Sequence, residues 1–577
     1  MTNHQLSQIF TRIANLLEIK GENTFKILAY RKAAETLQTL PREAANIYHE
    51  GGVPALKAIP GIGQAIAEKI EELLQTGKLR FWDNLSAEIP PSLLDMLPIP
   101  DLGPKKIARF WRELGIVSVP QLQAAAQAGQ LRGLSGMGEK SEAKILAGIE
   151  ALQRRSGRIP LGQARPFALE QTAFLRTLAG VQRAEVAGSV RRWRETIGDI
   201  DLVAAAEDSA PVLAAFIGQR GIVSVRGQGT TKASVEFDNG LRAQLWVHPP
   251  ARFGTALQYA TGSQAHNVAL REHALKCGFS LSEHALTRLD TGEEVLCATE
   301  EDVYGGLGLP WIPPEVREAH GELAVPVGTR WESLLTTADI RAALHNHSQW
   351  SDGDASIEEM ALAAIARGYK VLAITDHSHS LGIVQGVRPE NLPRQRAEIA
   401  AVQQKLGNQI LLLHGAEVEI RADGSLDYAD EVLAQLDVVV ASLHTSLRQP
   451  KAEITTRLLR AIRNPHVDII GHPSGRLLPD REGADLDWDA VLAAAVECNT
   501  ALEINANPHR LDLSDVYARR AAEMGIKLSI NTDAHAPEQF DLLPYGVAVA
   551  RRAWLTAGQV LNTLTDEALL AWLQRRA

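Results

Sequence analysis

The stretch ALHNHSQWSDG, residues 343–353, indicates the fold of the C-terminal part of the chain. His345 and His347 stand two residues apart on a predicted strand, so both side chains lie on one face, and Asp352 follows in the next loop. Farther along, the apolar strands VLAITDH, DVVVASLH, DIIGHP and LSINTDAH alternate with helical segments. This alternation predicts a parallel sheet or barrel built from βα units.

These apolar strands end in side chains that bind metals, and a barrel brings such strand ends to one rim. A single histidine after a strand is more often structural, but six histidines and three acids in such places predict a metal site. Imidazole and carboxylate ligands without a thiolate suit Zn²⁺, Mn²⁺ or Fe²⁺. The candidates are His345, His347, Asp352, His377, Glu417, His444, His472, Asp533 and His535. We leave His379, His414, His466 and His509 outside this set.

A second group of candidates lies in GSVRRWRETIGDIDLV, residues 188–203. Asp199 and Asp201 alternate along a predicted strand, so both carboxylates face one side and can bridge two Mg²⁺ ions for phosphoryl transfer. Gly188 and Ser189 would contact a triphosphate, and Arg192 would neutralise its charge. Two aspartates alone would be a weak indication of a phosphoryl-transfer site. The whole string, with the glycine, serine and arginines before the aspartates, is a strong indication of one.

Residues 1–158 contain a glycine turn followed by a helix three times, as AIPGIGQAIAEKI (58–70), PIPDLGPKKIARF (98–110) and GLSGMGEKSEAKI (133–145). Such turns present backbone N–H groups to a phosphate, so three copies favour a grip on the DNA backbone over ordinary connections. The turn glycines are Gly61, Gly63, Gly103, Gly136 and Gly138. Lys69, on the helix after the first turn, could form a Schiff base if desolvated, although most such lysines are merely solvated.

The composition limits the remaining possibilities. A chain of 577 residues is expected to form several domains. Its net charge of −10 argues weakly against general nucleic-acid binding, but residues 1–158 are mildly basic, and ten of the seventeen histidines lie from His345 onward. Three isolated cysteines fit a reducing cytoplasm, and neither a signal peptide nor a membrane span is expected.

With these motifs, the chain resembles the family X DNA polymerases in their bacterial PolX form, over nearly its whole length. FKILAYRKAAETL and PGIGQAIAEKIEELLQTGKL resemble the family's lyase domain, which places Lys69 at the Schiff-base lysine. YATGSQAHNVALR (259–271) resembles the nucleotide-sugar segment. By that match Tyr259 lies by the sugar, Asn267 contacts the incoming base and Arg271 faces the template. Gly262 and Ser263 belong to the same nucleotide-binding segment.

The resemblance implies a multidomain protein. We expect a lyase-like helical domain with a helix-hairpin-helix motif (1–85) and a fingers-like region with two more such motifs (86–158). An α+β nucleotidyltransferase palm (159–250), a small thumb (251–312) and a proline-bearing linker (313–336) would follow. The C-terminal part, 337–577, resembles the PHP domain (polymerase and histidinol phosphatase), a distorted seven-stranded β/α barrel. All nine ligand positions of its trinuclear site are filled, Arg510 would contact phosphate, and Asp376 would orient a ligand.

Three positions depart from the family's pattern. Gln244 stands where the third catalytic aspartate is expected, and an amide can neither supply charge nor accept a proton. We therefore expect retained nucleotide binding with weakened synthesis, unless Glu236 or Asp238 substitutes. Ala260 replaces a bulkier residue beside the sugar, which would loosen ribonucleotide rejection or only change the packing. Asp101 replaces a glycine of the second helix-hairpin-helix motif and weakens its expected grip.

The sequence thus predicts a cytoplasmic, nucleoid-associated DNA repair enzyme that acts as a monomer on gapped or primed DNA. Its partners would be dNTPs, with Mg²⁺ or Mn²⁺ at the polymerase site and up to three Mn²⁺ or Zn²⁺ ions in the barrel. The barrel would remove 3′ nucleotides. Two alternatives remain at this point: a small-molecule phosphatase and a gap-binding scaffold with both centres silent.

Overall fold

The computed structural model describes residues 1–577 except 2, 41–42, 100–101, 135, 156–157, 326–330, 381–385 and 575–577. The chain divides into two compact units, and the division falls between residues 157 and 158. None of the described helices is both long and apolar enough to cross a membrane.

The first unit is helical. Its buried core is built from one face of each helix, with Phe10, Leu37 and Phe110 among the residues at its centre. The helices are α1 (Asn3–Lys20), α2 (Thr24–Thr39), α3 (Ala44–Lys57), α4 (Gln64–Thr76), α5 (Arg80–Glu88), α6 (Pro104–Leu114), α7 (Val119–Gln127) and α8 (Glu139–Arg155). Three of them, α4, α6 and α8, begin directly after the predicted glycine turns.

The second unit begins with a five-stranded central sheet of order β2-β4-β7-β6-β5. Strands β4 and β7 run parallel, and the other neighbouring strands run antiparallel. Alternate side chains of these strands form an apolar core with α9 and α11. The elements are β1 (Ile159–Pro160), α9 (Leu161–Arg176), β2 (Arg183–Val186), α10 (Gly188–Arg191), β3 (Thr196–Ile197), β4 (Ile200–Ala205), α11 (Ser209–Ile217), β5 (Ile222–Gln228), β6 (Lys232–Phe237) and β7 (Arg242–His248).

A small mixed subdomain follows the central sheet. It has an antiparallel sheet of order β10-β9-β8, and α12 packs on β4 through Val203, Ala256 and Leu257. Its elements are α12 (Phe253–Thr261), α13 (Gln264–Lys276), β8 (Phe279–Leu281), β9 (Leu286–Arg288), β10 (Glu294–Val295) and α14 (Glu300–Gly306).

The segment predicted as a linker, residues 313–336, differs from that expectation where it is described. Arg317 is fully buried and bonds to Glu300 at 2.6 Å, and buried Glu322 bonds to His266 at 2.6 Å. The Arg317–Glu300 ion pair and the Glu322–His266 hydrogen bond hold the described part of the segment against α14 and α13. The charged residues of this segment are thus held by partners distant in sequence, which its prolines do not indicate.

The C-terminal part is a parallel seven-stranded sheet in chain order, β11 to β17. It curls into a nearly closed barrel, because the His347 N–H donates to the Ala534 carbonyl at 2.8 Å beside the Asn346–Ala534 bridge. Its elements are β11 (Ala342–Ala343), α15 (Ile357–Ala366), β12 (Val371–Ile374), α16 (Leu392–Leu406), β13 (Leu411–Glu419), α17 (Asp430–Leu433), β14 (Val438–Ser442), α18 (Lys451–Ile462), β15 (Ile469–Gly471), α19 (Trp488–Cys498), β16 (Ala501–Asn505), α20 (Asp515–Glu523), β17 (Leu528–Asn531), α21 (Leu543–Arg552) and α22 (Asp566–Gln574).

Candidate functional site

The candidate metal ligands converge at one end of the barrel. His377, His444 and His472 follow β12, β14 and β15, and Asp533 and His535 follow β17. Two details differ from the expectation from sequence. The strand β11 is only two residues long, so His345 and His347 come after it, and Glu417 lies within β13 rather than beyond its end.

Glu417 is the centre of this cluster. Its carboxylate lies 2.8 Å from His377 Nδ1, 3.2 Å from His444 Nε2 and 3.0 Å from His472 Nε2. Around it, three groups could each hold an ion: His347, Asp352, His377 and His535; His345, His347, Glu417 and Asp533; and His377, Glu417 and His444. Within each group the ligand atoms lie within 4.8 Å of one another. The structure thus brings all nine candidates together.

The pKa shifts of the candidate ligands and the hydrogen bonding of their buried atoms are both consistent with a metal site here. Burial would raise the pKa of Glu417, yet the histidines around it hold that pKa well below the usual range. Burial would lower the pKa of His444, but Glu417 and Glu419 raise it to about 9. His345 Nε2 and His347 Nδ1 are buried without a well-aligned hydrogen bond in the described part of the chain, and Glu417 Oε2 lies 2.8 Å from His377 Nδ1 without hydrogen-bond geometry. Divalent ions bound by nitrogen and oxygen donors would satisfy such atoms.

Two carboxylates that the sequence reasoning missed hold these ligands in place. Glu503 on β16 accepts a hydrogen bond from His345 Nδ1 at 2.8 Å and from the His472 N–H at 2.7 Å. Glu419 lies 2.7 Å from His444 Nδ1 and accepts a bond from the Thr445 hydroxyl. A carboxylate on the second ring nitrogen fixes the tautomer that leaves the first nitrogen for a metal.

Asp376 and Arg510 also lie at this end of the barrel. Asp376 accepts bonds from the Ser348 and Ser351 hydroxyls at 2.6 Å each, and burial raises its pKa to about 6. It orders the loop that carries Asp352 and does not bond to His377, the ligand beside it in sequence. Arg510 Nε lies 3.7 Å from Asp533 Oδ2, so its guanidinium stands beside the candidate ligands.

The second site lies on the central sheet. Asp201 on β4 is in register with Gln244 on the parallel strand β7, and Gln244 is in register with Ser234 on β6. Asp199 immediately precedes β4, and its carboxylate pairs with Arg242 at 2.9 Å. Burial and the neighbouring Asp199 raise the pKa of Asp201 to about 7. The structure therefore places Gln244 beside the aspartate pair.

Neither of the acids considered as substitutes for a third aspartate takes that role. Glu236 lies on β6 opposite Arg242 and pairs with Arg226 at 2.7 Å. Asp238 lies in the turn after β6, away from the row that holds Gln244. The central site thus has two carboxylates, and a cation is paired with one of them.

Gly188 lies against this carboxylate pair. Its φ is +60°, and a Cβ added there would lie 2.1 Å from Asp201 Oδ2, so only glycine fits. Ser189 lies next to it on α10. Arg192, expected to face a triphosphate, is instead bonded to the Thr261 carbonyl and to Glu318 at 3.1 Å.

The nucleotide-sugar segment spans the end of α12 and the start of α13. Tyr259 packs edge-on against Trp246 of β7 at 6.1 Å, which puts it beside the central sheet. The Asn267 amide donates to the Tyr259 carbonyl at 2.8 Å, and the Ser263 hydroxyl caps α13. Gly262, in the turn between the helices, has a φ of +69°. Arg271 is exposed one turn after Asn267.

The first unit holds the remaining candidates. An added Cβ at Gly63, Gly103, Gly136 or Gly138 would meet no described atom within 4 Å, so these turns are open to a ligand. Lys69 is half-buried with its ammonium 5.2 Å from the Phe81 ring, and burial lowers its pKa. Gly61 has a φ of +91°. Asp101 lies outside the described residues.

Four family models match the chain. A helix-hairpin-helix domain matches residues 1–79, and a SAM-like helix-hairpin-helix tandem matches residues 93–151. The DNA polymerase beta thumb matches residues 256–318, and the PHP domain matches residues 343–507. The thumb match extends into the segment that the sequence reasoning had assigned to a linker.

Curated relatives match the chain in whole or in part. A "DNA polymerase/3'-5' exonuclease PolX" from Bacillus subtilis is 38% identical over 579 residues, which cover 100% of both chains. Rat DNA polymerase lambda is 26% identical over 55% of this chain and 56% of its own length. A probable phosphatase from Thermoanaerobacter is 32% identical over 38% of this chain and 89% of its own. The full-length match, with the thumb, helix-hairpin-helix and PHP domains, shows that the chain belongs to the family X DNA polymerases of the bacterial PolX type.

Proposed function

We propose that the barrel is a metal-dependent 3′–5′ exonuclease acting on gapped or primed DNA, and that the central sheet binds dNTPs but extends primers slowly. The observation that carries this proposal is the contrast between the two centres. The barrel gathers nine candidate ligands with orienting carboxylates, whereas the central sheet has Gln244 beside only two aspartates.

The barrel's own residues supply the means to bind and orient a phosphodiester. Arg510 would contact a phosphate oxygen, since its guanidinium lies beside Asp533. Glu503 and Glu419 hold the rings of His345 and His444 in the orientation that frees their other nitrogens. Three Mn²⁺ or Zn²⁺ ions bound by the nine ligands would supply positive charge for the phosphate oxygens and a more acidic water.

The remaining parts would hold the DNA. We assign residues 1–85 to a lyase-like domain, 86–158 to a fingers-like region, 159–250 to a palm and 251–312 to a thumb. The open glycine turns at Gly63, Gly103 and Gly138 support a grip on the DNA backbone. The lowered pKa of Lys69 supports a Schiff-base role at an abasic sugar.

A second candidate is a phosphate monoesterase acting on small molecules. It is favoured by the match of the barrel to a relative named as a probable phosphatase. The helix-hairpin-helix and thumb regions argue against it, because a small substrate needs no DNA grip.

One assay separates these functions: a 5′-labelled gapped duplex with Mn²⁺, with and without dNTPs, for the wild type and His345→Ala. We expect shortened products that are lost in His345→Ala, and little extension. Strong extension by the wild type would contradict the weakened polymerase. If no shortened product forms, the protein is either a small-molecule phosphatase or a catalytically silent gap-binding scaffold. Hydrolysis of a small phosphomonoester distinguishes these two.

A further inference from the structure

The loop that follows Ser189 in the central sheet reaches the barrel. Its backbone is tied to the expected triphosphate site, because the Arg194 N–H donates to the Ser189 carbonyl at 3.0 Å. One residue farther on, the Glu195 carboxylate accepts two bonds from Arg476 of the barrel, at 2.6 and 3.3 Å. Both side chains are largely buried, with exposed fractions of 26% and 14%, so this ion pair is shielded more than a surface pair.

Arg476 in turn holds the segment that carries Arg510. Its guanidinium donates to the Arg510 carbonyl at 2.8 Å and also to the Leu511 carbonyl. Arg510 lies beside the candidate ligand Asp533. A continuous set of contacts therefore runs from Ser189 through Glu195 and Arg476 to the metal-binding end of the barrel.

A second set of contacts joins Arg192, the residue expected to neutralise a triphosphate, to the barrel. Arg192 is paired with Glu318 at 3.1 Å, and Glu318 also pairs with Arg552 of the barrel at 3.2 Å. The Arg552 side chain bonds to the Arg192 carbonyl at 2.9 Å. A triphosphate that engaged Arg192 would compete with Glu318 for it and so disturb both contacts.

We propose that a deoxynucleoside triphosphate bound at the central sheet lowers nuclease activity in the barrel by loosening the Glu195–Arg476 contact. This inference rests on the proposed function, and it makes Glu195 and Arg476 positioning residues for Arg510. Without nucleotide, the contacts of Arg476 hold Arg510 beside Asp533. A shift of the loop that carries Glu195 would remove those contacts. Any part of the effect that is a weaker binding of DNA at the barrel is reciprocal, so bound DNA would weaken nucleotide binding by that same factor in affinity.

The test measures nuclease activity of the full chain on a gapped duplex at fixed free Mn²⁺. The nucleotide is an α,β-methylene dNTP complementary to the gap, which cannot be incorporated. We expect it to slow the wild type by about fivefold or more, the lower end of typical coupling between sites. Glu195→Gln should have lower activity without nucleotide and less than a twofold further response. Glu315→Gln, which breaks a similar contact to Arg551, should respond like the wild type.

Three results would overturn the inference. The first is a wild type whose nuclease is unaffected by the analogue. The second is a Glu195→Gln variant slowed as strongly as the wild type. The third is equal slowing in Asp201→Asn, which would mean that the nucleotide acts at the barrel itself.

Amide hydrogen exchange tests the coupling without relying on nuclease activity. The analogue should speed exchange of peptides covering 507–513 in the wild type and leave those of Glu195→Gln unchanged. Unchanged exchange in the wild type would refute the coupling. A wild type that lacks nuclease activity but shows this exchange response would contradict the proposed nuclease and leave the structural coupling between the two sites supported.

Discussion

Replacing Gln244 with aspartate tests the proposal that the absence of a third carboxylate slows primer extension. Gln244 is half-buried on β7 and directly in register with Asp201 on β4. Neighbouring strands lie about 4.8 Å apart, so a carboxylate at 244 would come about as close to Asp201 as a shared metal requires. Gln244→Asp would therefore supply the third carboxylate without moving the backbone.

The expected gain and cost can both be estimated. A correctly placed proton-accepting group contributes about 10²–10⁴ to a rate, so primer extension should rise by at least about 10². In the metal-free protein, two carboxylates about 5 Å apart repel each other by up to about 3 kcal/mol at an effective dielectric constant of 20. Solvent screening reduces this value, since position 244 is only half-buried. We therefore expect a lower Tm without metal, recovered when Mn²⁺ is added.

The assay is single-nucleotide extension of a gapped primer, with barrel activity removed by His345→Ala in every protein compared. Ser234→Asp is the matched control, because Ser234 lies in the same row one strand farther from Asp201. It adds the same charge and should give no gain. The reasoning is refuted if Gln244→Asp extends no faster than its parent, or if Ser234→Asp gains as much.

Four further predictions follow from the geometry. Gly188→Ala should abolish nucleotide binding, because the added Cβ would clash with Asp201, and should leave nuclease activity unchanged. Calorimetry measures the nucleotide binding, and the gapped-duplex assay measures the nuclease activity. The affinity of the protein for the nucleotide in the presence of Mn²⁺ should rise as pH increases from 6 to 8. Asp201, with a pKa of about 7, must lose its proton to bind the metal, and binding titrations at each pH test this. Glu503→Gln should weaken Mn²⁺ binding in the barrel about 10–100-fold by equilibrium dialysis, and unchanged affinity would exclude its orienting role. Borohydride trapping on abasic DNA should require Lys69, and trapping by Lys69→Ala would rule this lysine out.

The sequence predicted the barrel and the convergence of its candidate ligands because both follow from local pattern. Apolar strands in regular alternation with helices predict parallel pairing, and a parallel barrel forces the strand ends to one rim. His377 and His444 could therefore be placed together although 66 residues of chain separate them. In the central sheet, the strand expected around Asp199 and Asp201 is present as β4 (Ile200–Ala205), with Asp199 immediately before it.

Contacts between distant segments were not predictable in this way. Glu503 lies within an apolar strand and Glu419 at the end of another, where a single acidic residue looks like an ordinary exception to the apolar pattern. Only the pairing of the strands in the folded protein shows which histidine each glutamate contacts. The contacts of the segment 313–336 were not predictable for the same reason. Its prolines are local signals, whereas the partners of Arg317 and Glu322 lie on α14 and α13.

The difference between the two centres follows from how each arranges its charges. In the barrel, histidines lie beside every candidate carboxylate and offset part of its negative charge, and His345 Nε2 and His347 Nδ1 are buried without a well-aligned hydrogen bond in the described part of the chain. On the central sheet, Arg242 pairs with Asp199, and Gln244 adds no charge. A divalent ion there must compete with a guanidinium for one carboxylate and with a proton for the other, whereas in the barrel it must displace protons from histidines such as His444, whose pKa is raised to about 9. The larger set of candidate ligands therefore leads us to expect tighter metal binding in the barrel, in line with the proposal that the central sheet binds a nucleotide but joins it to DNA slowly.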